Sequence, residues 1–166
     1  MEHINPYELN ENLFSLLDRD WMLITARAPE TGKINTMTAS WGGFGILWNK
    51  PVAFVFIRPQ RYTREFTERA EGMTLSFFSE EYRDALKLCG RVSGRDCDKI
   101  AEAGLTPMPI GERAAFAEAR MVMSCRKLYA DDLKEGAFID PALLSNYRAG
   151  DYHTMYIVEI EGILKK

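Results

Sequence analysis

The chain has 166 residues, of which 46% are hydrophobic, 27% are charged and 11% are aromatic. This length fits one domain with a sizeable core, so we expect a single domain over residues 1–166. The formal net charge is −3, which argues against a broad nucleic-acid surface, because such a surface concentrates Lys and Arg. The first residues are not basic, and no apolar stretch approaches the roughly 20 residues that span a bilayer. We therefore expect a cytoplasmic protein with no nucleic-acid or membrane partner.

In chain order, most of the predicted elements are strands. Runs of β-branched and aromatic residues predict strands over 21–26, 34–41, 52–58, 73–78, 120–129 and 154–164. Helices are predicted over 12–17, 63–69, 79–88, 97–102 and 142–148, the last four with caps at Thr63, Ser79, Asp96 and Asp140. Regular helical crossovers between the strands are missing, which favours an antiparallel sheet or barrel over a doubly wound parallel sheet. We predict a mainly β fold, a β-barrel with peripheral helices.

Several common motifs fail on inspection. Gly43 and Gly45 suggest a dinucleotide fingerprint, but Trp48 stands where its third glycine belongs and no helix follows. With only two histidines, a multi-histidine metal site cannot be built, and we predict no metal. The three cysteines, Cys89, Cys97 and Cys125, contain no C-x-x-C pair. Buried thiols are the simplest interpretation, and a redox role for Cys89 or Cys97 is left open.

A phosphate site is suggested by the segment RPQRYTR, residues 58–64, which directly follows an apolar strand. Arg58 and Arg61 can bind phosphate oxygens through paired donors. A helix that begins near Thr63 adds its free N–H groups and its dipole. The alternative, a solvated and positively charged turn, explains these residues equally well on their own.

A polar strand precedes this segment, in the stretch NTMTASWGG at residues 35–43. Consecutive strands are usually neighbours, so its polar end could meet the arginine segment on one rim of the barrel. Thr and Ser hydroxyls with backbone amides could then bond the edge of a flat polar ring, while Trp41 or Tyr62 covers a face. Gly42 and Gly43 are expected to turn the chain away beneath that ring. The alternative is an ordinary edge strand with polar outward positions.

These pieces together resemble a known family. NTMTASWGG, WNKPV at 48–52, RPQRYT at 58–63, CGRVSGRD at 89–96 with Asp98 and Lys99, and GDYH at 150–153 are similar to the flavin reductase-like (flavoredoxin-like) FMN-binding split-barrel proteins. The resemblance spans roughly residues 20–162 of the chain. It implies a homodimeric, Greek-key split β-barrel with FMN at the dimer interface. Val158 departs from the pattern, since glycine is expected there in many relatives, and it could either narrow the pocket or simply pack.

The resemblance also implies roles for individual residues. His153, at the start of the last strand, would fall near the flavin as a catalytic or substrate-contacting residue; the alternative is a histidine that caps backbone groups at the rim. Ser93 and Lys99 match a loop that approaches the substrate side. The implied cofactor-binding residues are Asn35, Thr36, Met37, Thr38, Ala39, Ser40 and Trp41 at the ring, and Arg58, Arg61, Tyr62 and Thr63 at the phosphate.

The function implied is that of an oxidoreductase, a flavin reductase in which FMN accepts a hydride from NADH or NADPH and passes electrons to free flavin, ferric iron or a partner protein. One alternative is a non-enzymatic FMN electron carrier that serves protein partners. Another is a barrel that has lost its flavin, against which the retained Arg58, Arg61 and Thr63 argue.

Overall fold

The fold is described from a computed structural model that covers all of residues 1–166. It contains ten strands: β1 (Glu2–Ile4), β2 (Met22–Arg27), β3 (Ile34–Ala39), β4 (Gly42–Leu47), β5 (Lys50–Ile57), β6 (Gly72–Phe77), β7 (Pro107–Ile110), β8 (Arg113–Phe116), β9 (Met121–Asp132) and β10 (Thr154–Lys165). Four α-helices accompany them: α1 (Leu13–Ser15), α2 (Tyr62–Arg69), α3 (Arg83–Arg91) and α4 (Lys99–Glu102). A π-helical turn (Leu16–Asp20) and 3₁₀ turns (Pro6–Glu8, Glu80–Tyr82, Glu135–Ala137 and Pro141–Tyr147) complete the elements.

Eight of the strands form one antiparallel sheet in the order β3-β2-β6-β9-β10-β5-β4, with β1 paired to the far end of β10. The sheet curls into a barrel that stays open between β3 and β4, which are not paired with each other. This is the predicted mainly β barrel with peripheral helices. Alternate side chains of the strands fill its interior, as the two-residue period of a strand requires, for example Met22 and Ile24 of β2.

The outer face of the sheet carries a second core. Leu23 of β2 and Val122 of β9 point away from the barrel interior and pack with Leu86 of α3 and Phe116 of β8. The β7–β8 hairpin and α3 therefore cover the sheet from outside. Val158 lies in the interior core and is fully buried, so this departure from the family pattern is a packing residue.

Strand β4 was missed by the sequence analysis, and the predicted turn at Gly42 and Gly43 is wrong. Both glycines lie in β4 and pair with Val55 and Phe54 of β5. The chain instead reverses at Trp48 and Asn49, whose φ angles of 51° and 57° are those of a two-residue hairpin turn. Strand β4 escaped notice because three of its six residues are glycine, which has low strand propensity.

The predicted helical segments contain helical turns, but 142–148 is a 3₁₀ turn, and only Asp140 caps its segment through a side-chain hydrogen bond as predicted. Ser79 stands at the start of a 3₁₀ turn without a capping hydrogen bond from its side chain.

The predicted caps at Thr63 and Asp96 are wrong. Helix α2 begins at Tyr62, so Thr63 lies inside its first turn rather than at its cap. Helix α4 is capped by the Asp98 side chain, which accepts a hydrogen bond from the N–H of Ala101, and Asp96 plays no such part. No helix in the structure combines the length and the apolar character needed to cross a membrane.

Two of the three cysteines are buried. Burial raises the pKa of the Cys89 thiol to about 11 and that of Cys125 to about 12, so both are protonated near neutral pH. Cys97 is partly exposed and its Sγ lies 3.8 Å from the carbonyl oxygen of Ser93.

The tight pairing of β6 with β9 gives a prediction about stability. A methyl group at Gly72 would lie 2.2 Å from the backbone oxygen of Cys125, so Gly72→Ala must push two paired strands apart. We expect Gly72→Ala to lower the free energy of unfolding by about 1–3 kcal/mol, the usual cost of overpacking. Urea titration measures this loss. Gly136→Ala is the matched control, because a methyl group there meets nothing within 4 Å; equal stabilities for the two variants would contradict the prediction.

Candidate functional site

The candidate site lies along the open edge of the sheet. Strand β3 pairs with β2 on one side only, so half of its backbone N–H and C=O groups point away from the sheet. The first turn of α2, the segment 90–99 and His153 surround this edge and enclose two cavities. Met37 and Arg61 line both cavities, which are therefore adjacent.

The smaller cavity has a volume of about 70 Å³ and is rich in cations. Arg61, Arg91 and Lys99 all line it. Its other lining residues are Met37, Tyr62, Thr63, Val92 and Ser93. A space this small, with this charge, suits a single compact anion.

Two of these cations, the buried Lys99 and the half-buried Arg61, have no carboxylate partner. Arg61 donates to the carbonyl oxygens of Gly90 (2.7 Å) and Thr38 (3.5 Å). Lys99 is only 4% exposed, and its Nζ donates to the carbonyl oxygens of Cys89 and Val92, each at 3.2 Å. Burial lowers the pKa of both groups, and repulsion from a neighbouring arginine lowers each further. Carbonyl dipoles only partly offset a buried positive charge, so this arrangement calls for an anion.

The first turn of α2 adds neutral donors to the same cavity. The N–H groups of Tyr62 and Thr63 open this eight-residue helix and donate to no backbone acceptor. A helix N-terminus of this kind favours negative charge. The Thr63 hydroxyl is itself fixed, because it accepts a 2.8 Å hydrogen bond from Nδ2 of Asn35. Cations and free N–H groups together match the chemistry of a phosphate monoester.

The larger cavity, about 350 Å³, lies beside the end of β3 and has an aromatic wall. The rings of Trp41 and Phe56 lie 5.4 Å and 6.3 Å from that of His153, measured between centroids. The complete lining set is Met37, Thr38, Ala39, Ser40, Trp41, Phe56, Arg58, Gln60, Arg61 and His153. Aromatic walls with a few polar groups are typical of sites for flat ring systems.

The hydroxyl groups of β3 divide into internal and available ones. The Thr36 hydroxyl is buried and bonds to Thr25 Oγ1 (2.9 Å) and the Ile24 carbonyl (3.1 Å), and Thr36 does not line either cavity. The Thr38 hydroxyl donates to the Leu86 carbonyl of α3. Ser40 makes no side-chain hydrogen bond within the chain, so its hydroxyl and the free backbone edge are what β3 offers to a ring.

His153 forms the wall opposite β3. It is buried, and its Nδ1 lies 2.9 Å from the Tyr147 hydroxyl. Burial, with repulsion from Arg58 as a smaller contribution, lowers the pKa of His153 to about 4. The imidazole is therefore neutral at physiological pH. A neutral imidazole can form hydrogen bonds and stack on a flat ring, but it supplies no positive charge.

Arg58 sits apart from the other predicted phosphate ligands. It lines the larger cavity, but its guanidinium forms an ion pair with Asp151 and donates to the Asn146 carbonyl at 3.0 Å. Arg61, Tyr62 and Thr63 are brought together at the smaller cavity.

The structure places Ser93 and Lys99 at the smaller cavity too, beside Thr63. Arg91 also lines this cavity, and the sequence analysis did not single it out. The only signal for it was its position between Cys89 and Ser93 in the stretch that carries the family resemblance.

A third cavity, about 520 Å³, lies beyond Lys99, the one lining residue that it shares with the two cavities of the site. Its lining cations are Lys33, Arg95 and Lys99; Arg95 is paired with Glu65, and the carboxylates Asp96 and Asp98 also line the cavity. Charge is balanced there, so it lacks the demand for an anion that marks the smaller cavity.

Comparison with protein families supplies the context for this geometry. Residues 14–165 match the family described as the flavin reductase like domain. The chain belongs to this family. The comparison with curated protein sequences finds no significant match.

Solved structures show that the fold is that of the split-barrel family. An FMN-binding domain of a flavin reductases-like enzyme from Shewanella baltica is 18% identical, with a TM-score of 0.70 over 98% of this chain and 75% of that one. Flavoredoxin of Desulfovibrio vulgaris is 22% identical, with a TM-score of 0.69 over 88% and 69%. An FMN-binding protein of Thermus thermophilus with bound p-hydroxybenzaldehyde is 17% identical, with a TM-score of 0.69 over 100% and 82%.

The low pKa of His153 gives a prediction about pH and stability. The pKa is about 4 in the folded chain against 6.5 for an unperturbed histidine, so between these values the unfolded chain binds a proton that the folded chain does not. The stability that the neutral ring contributes is present above pH 6.5 and is lost as the pH falls towards 4. Urea unfolding of the wild type and of His153→Gln at pH 7, 5.5 and 4 measures it. Carboxylates titrate in both proteins, so the stability difference between them isolates His153, and a difference independent of pH would contradict the prediction.

Proposed function

We propose that the protein binds FMN along β3 and uses it as an NAD(P)H-dependent flavin reductase. The observation that carries the proposal is a pair of cations, the half-buried Arg61 and the buried Lys99, that face a phosphate-sized cavity without any carboxylate partner. FMN carries its phosphate as a monoester at one end of the molecule. The residues present fit that group, since cations and free helix N–H groups both converge on the cavity.

The position of the larger cavity supports a ring at the other end of the ligand. The smaller cavity adjoins Asn35 through Thr63, and the larger one adjoins Ser40 and Trp41. Asn35 and Ser40 are five positions apart along β3 and the residue that follows it, which corresponds to about 17 Å at 3.4 Å per residue. A phosphate and a flat ring joined by a flexible chain would therefore lie along the strand. The free backbone edge of β3 and the Ser40 hydroxyl would bond the polar edge of the ring.

In this proposal FMN supplies the redox chemistry, accepting a hydride from NADH or NADPH and passing electrons onward. The protein binds and orients it. Arg61, Lys99 and Arg91 would hold the phosphate, while Thr38–Trp41 line the ring. His153, as a neutral imidazole at the opposite wall, would contact the nicotinamide or another substrate. Hydride transfer needs little acid–base help, so a histidine that is not protonated at neutral pH is compatible with the reaction.

A homodimer with the site at the interface is part of the proposal. Trp41, at the mouth of the larger cavity, is 51% exposed. Strand β4, the other edge of the sheet, exposes further apolar side chains towards its far end: Ile46 is 61% exposed, and Trp48 in the following turn is 55% exposed. Large exposed apolar side chains of this kind can form an interaction surface. A second copy that covered them would also complete the wall of the ring cavity.

The second candidate function is that of an FMN electron carrier without a nicotinamide site. The exposed Trp41 ring favours it, because it joins the cavity to the surface where a protein partner could dock. The resemblance of the fold to a flavoredoxin is consistent with this reading. The electron acceptor would then be a protein.

Loss of the phosphate contact gives the first test. Arg61→Ala should weaken the binding of FMN more than the binding of riboflavin, because only FMN carries the phosphate. If the charged contact contributes about 1.5–3 kcal/mol, FMN affinity should fall roughly 10- to 150-fold, with riboflavin affected far less. Flavin fluorescence titration measures both affinities. Arg69→Ala, an exposed arginine at the other end of the same helix, is the matched control. Equal losses for the two ligands would remove Arg61 from the phosphate site.

Reduction by nicotinamide nucleotides separates the two candidate functions. We expect FMN-loaded protein to lose its visible flavin absorption when NADH or NADPH is added in the absence of oxygen. We expect light scattering on the same sample to give the mass of a dimer. Dithionite is the control, because it reduces bound flavin in either case. Flavin that dithionite bleaches and both nucleotides leave oxidised would favour the carrier. Protein that takes up no FMN at all would refute both functions.

A further inference from the structure

We propose that Arg58 is a positioning residue: it holds the segment 133–152 against the ring cavity and, through Tyr147, fixes the His153 ring at the cavity wall. The segment connects β9 to β10 and contains two 3₁₀ turns. The inference rests on the proposed function in one respect, which is the reaction expected to take place beside this cavity wall. The arrangement of side chains does not depend on it.

Three contacts tie Arg58 to this segment. Its Nη1 pairs with Asp151, its Nη2 donates to the Asn146 carbonyl at 3.0 Å, and its guanidinium carbon lies 5.1 Å from the centroid of the Tyr147 ring. The Asp151 carboxylate also accepts a 2.8 Å hydrogen bond from Gln60. Both anchors, Arg58 and Gln60, belong to the stretch that links β5 to α2. The segment 133–152 is thus fastened to the same loop that leads into the phosphate cavity.

Tyr147 links Arg58 to His153, because it contacts both residues. Its ring stacks on Tyr152, with centroids 4.9 Å apart, and packs against Phe138 at 5.6 Å. Its hydroxyl lies 2.9 Å from His153 Nδ1, and the two rings meet edge to face. Because Tyr147 is held between the Arg58 guanidinium and aromatic neighbours, its hydroxyl has a fixed position.

His153 is oriented as a result. Its Nδ1 is engaged by Tyr147, which leaves Nε2 as the nitrogen free to contact a ligand. The ring is further bounded by Trp41 and Phe56. The charged groups that act on it are Arg58 and Asp151. A displaced segment 133–152 would release Tyr147 and with it the orientation of this nitrogen.

The contrast with Arg61 separates positioning from phosphate binding. Arg61 has no carboxylate partner and lines the small anion cavity, whereas Arg58 is neutralised by Asp151 and does not line that cavity. An arginine already paired with a carboxylate has little charge to offer a phosphate. Arg58 therefore acts on the ring end of the site through other side chains.

The test compares Arg58→Gln with Arg61→Ala in two measurements. For flavin binding, Arg58→Gln should change the affinities for FMN and riboflavin by the same factor, within about twofold, whereas Arg61→Ala changes their ratio tenfold or more. For His153, an NMR titration of the imidazole in the flavin-free protein should give a higher pKa in Arg58→Gln than in the wild type. The cation is gone and the ring is less enclosed, and both changes favour protonation. Arg58→Lys, which restores the charge without the second donor, should return the pKa part of the way.

Tyr147→Phe tests the connection between the two residues. It removes the hydroxyl that contacts Nδ1 and should shift the His153 imidazole signals by itself. Adding Arg58→Gln to Tyr147→Phe should then move the ring signals less than Arg58→Gln does in the wild type. If Arg58→Gln does not fold, Asp151→Asn breaks the same ion pair from its other side. Because Asp151 itself raises the pKa of His153, the readout of this variant is a change in the His153 titration and ring signals rather than a higher pKa.

Two results would overturn the proposal. One is an FMN affinity that falls tenfold more than riboflavin affinity in Arg58→Gln, which would make Arg58 a phosphate ligand. The other is an unchanged His153 titration in both Arg58→Gln and Asp151→Asn. A wild-type protein that binds no flavin would refute the proposed function, but the imidazole titration would still decide whether Arg58 positions His153.

Discussion

The site depends on two positive charges, Lys99 and Arg61, that the fold withdraws wholly or partly from water without a carboxylate partner. Removing a charge from water is costly, and carbonyl dipoles such as those around Lys99 and Arg61 offset only part of that cost. A nearby carboxylate would neutralise these charges, and the cavity would then have no unbalanced positive charge with which to bind an anion. The edge of β3, the first turn of α2 and the segment 90–99 are arranged around this charge. The rest of the candidate site, including the ring cavity, takes its position from them.

The two arginines Arg58 and Arg61 have different roles because they have different partners. Arg58 and Arg61 are three residues apart and equivalent in the sequence, yet one is neutralised by Asp151 and the other is not. The same contrast separates the smaller cavity from the 520 Å³ cavity, where Arg95 meets Glu65. Counting cations does not tell the two cavities apart, because three line each of them. What distinguishes them is the absence or presence of a compensating acid.

Much of the fold could be predicted because barrel strands carry local signals. β2, β5, β9 and β10 are rich in apolar and β-branched residues, and their predicted bounds are close to those observed. β4 has glycine at three of six positions, and β7 contains Pro107 and Pro109, so neither carries a strand signal of its own. These two are held by hairpin partners, β5 and β8, and pairing is a tertiary effect that composition does not record.

Tertiary contacts that the local sequence does not record also limited the prediction of the site. Thr63 and Lys99 were proposed from motif position, and the structure brings them to one cavity. The hydroxyls of Thr36 and Thr38 looked equally available in the sequence, but their acceptors belong to β2 and α3, and no local pattern announces Ile24 or Leu86 as partners. Long-range contacts decide which polar groups remain for a ligand.

The unpaired backbone of β3 has a consequence beyond ligand binding. A bare strand edge is a template on which another chain can add a strand, and proteins commonly blunt such edges to avoid aggregation. Here β3 has no proline or bulge, and its residues 34–39 pair in unbroken register with β2. Helices α2 and α3 lie against part of its free edge, so the part left open is the end at Thr38 and Ala39, which faces the larger cavity. A ligand bonded along this edge would occupy the groups that a second strand needs. If the proposed flavin binds there, we expect the newly made chain to be at its most aggregation-prone before the flavin has bound.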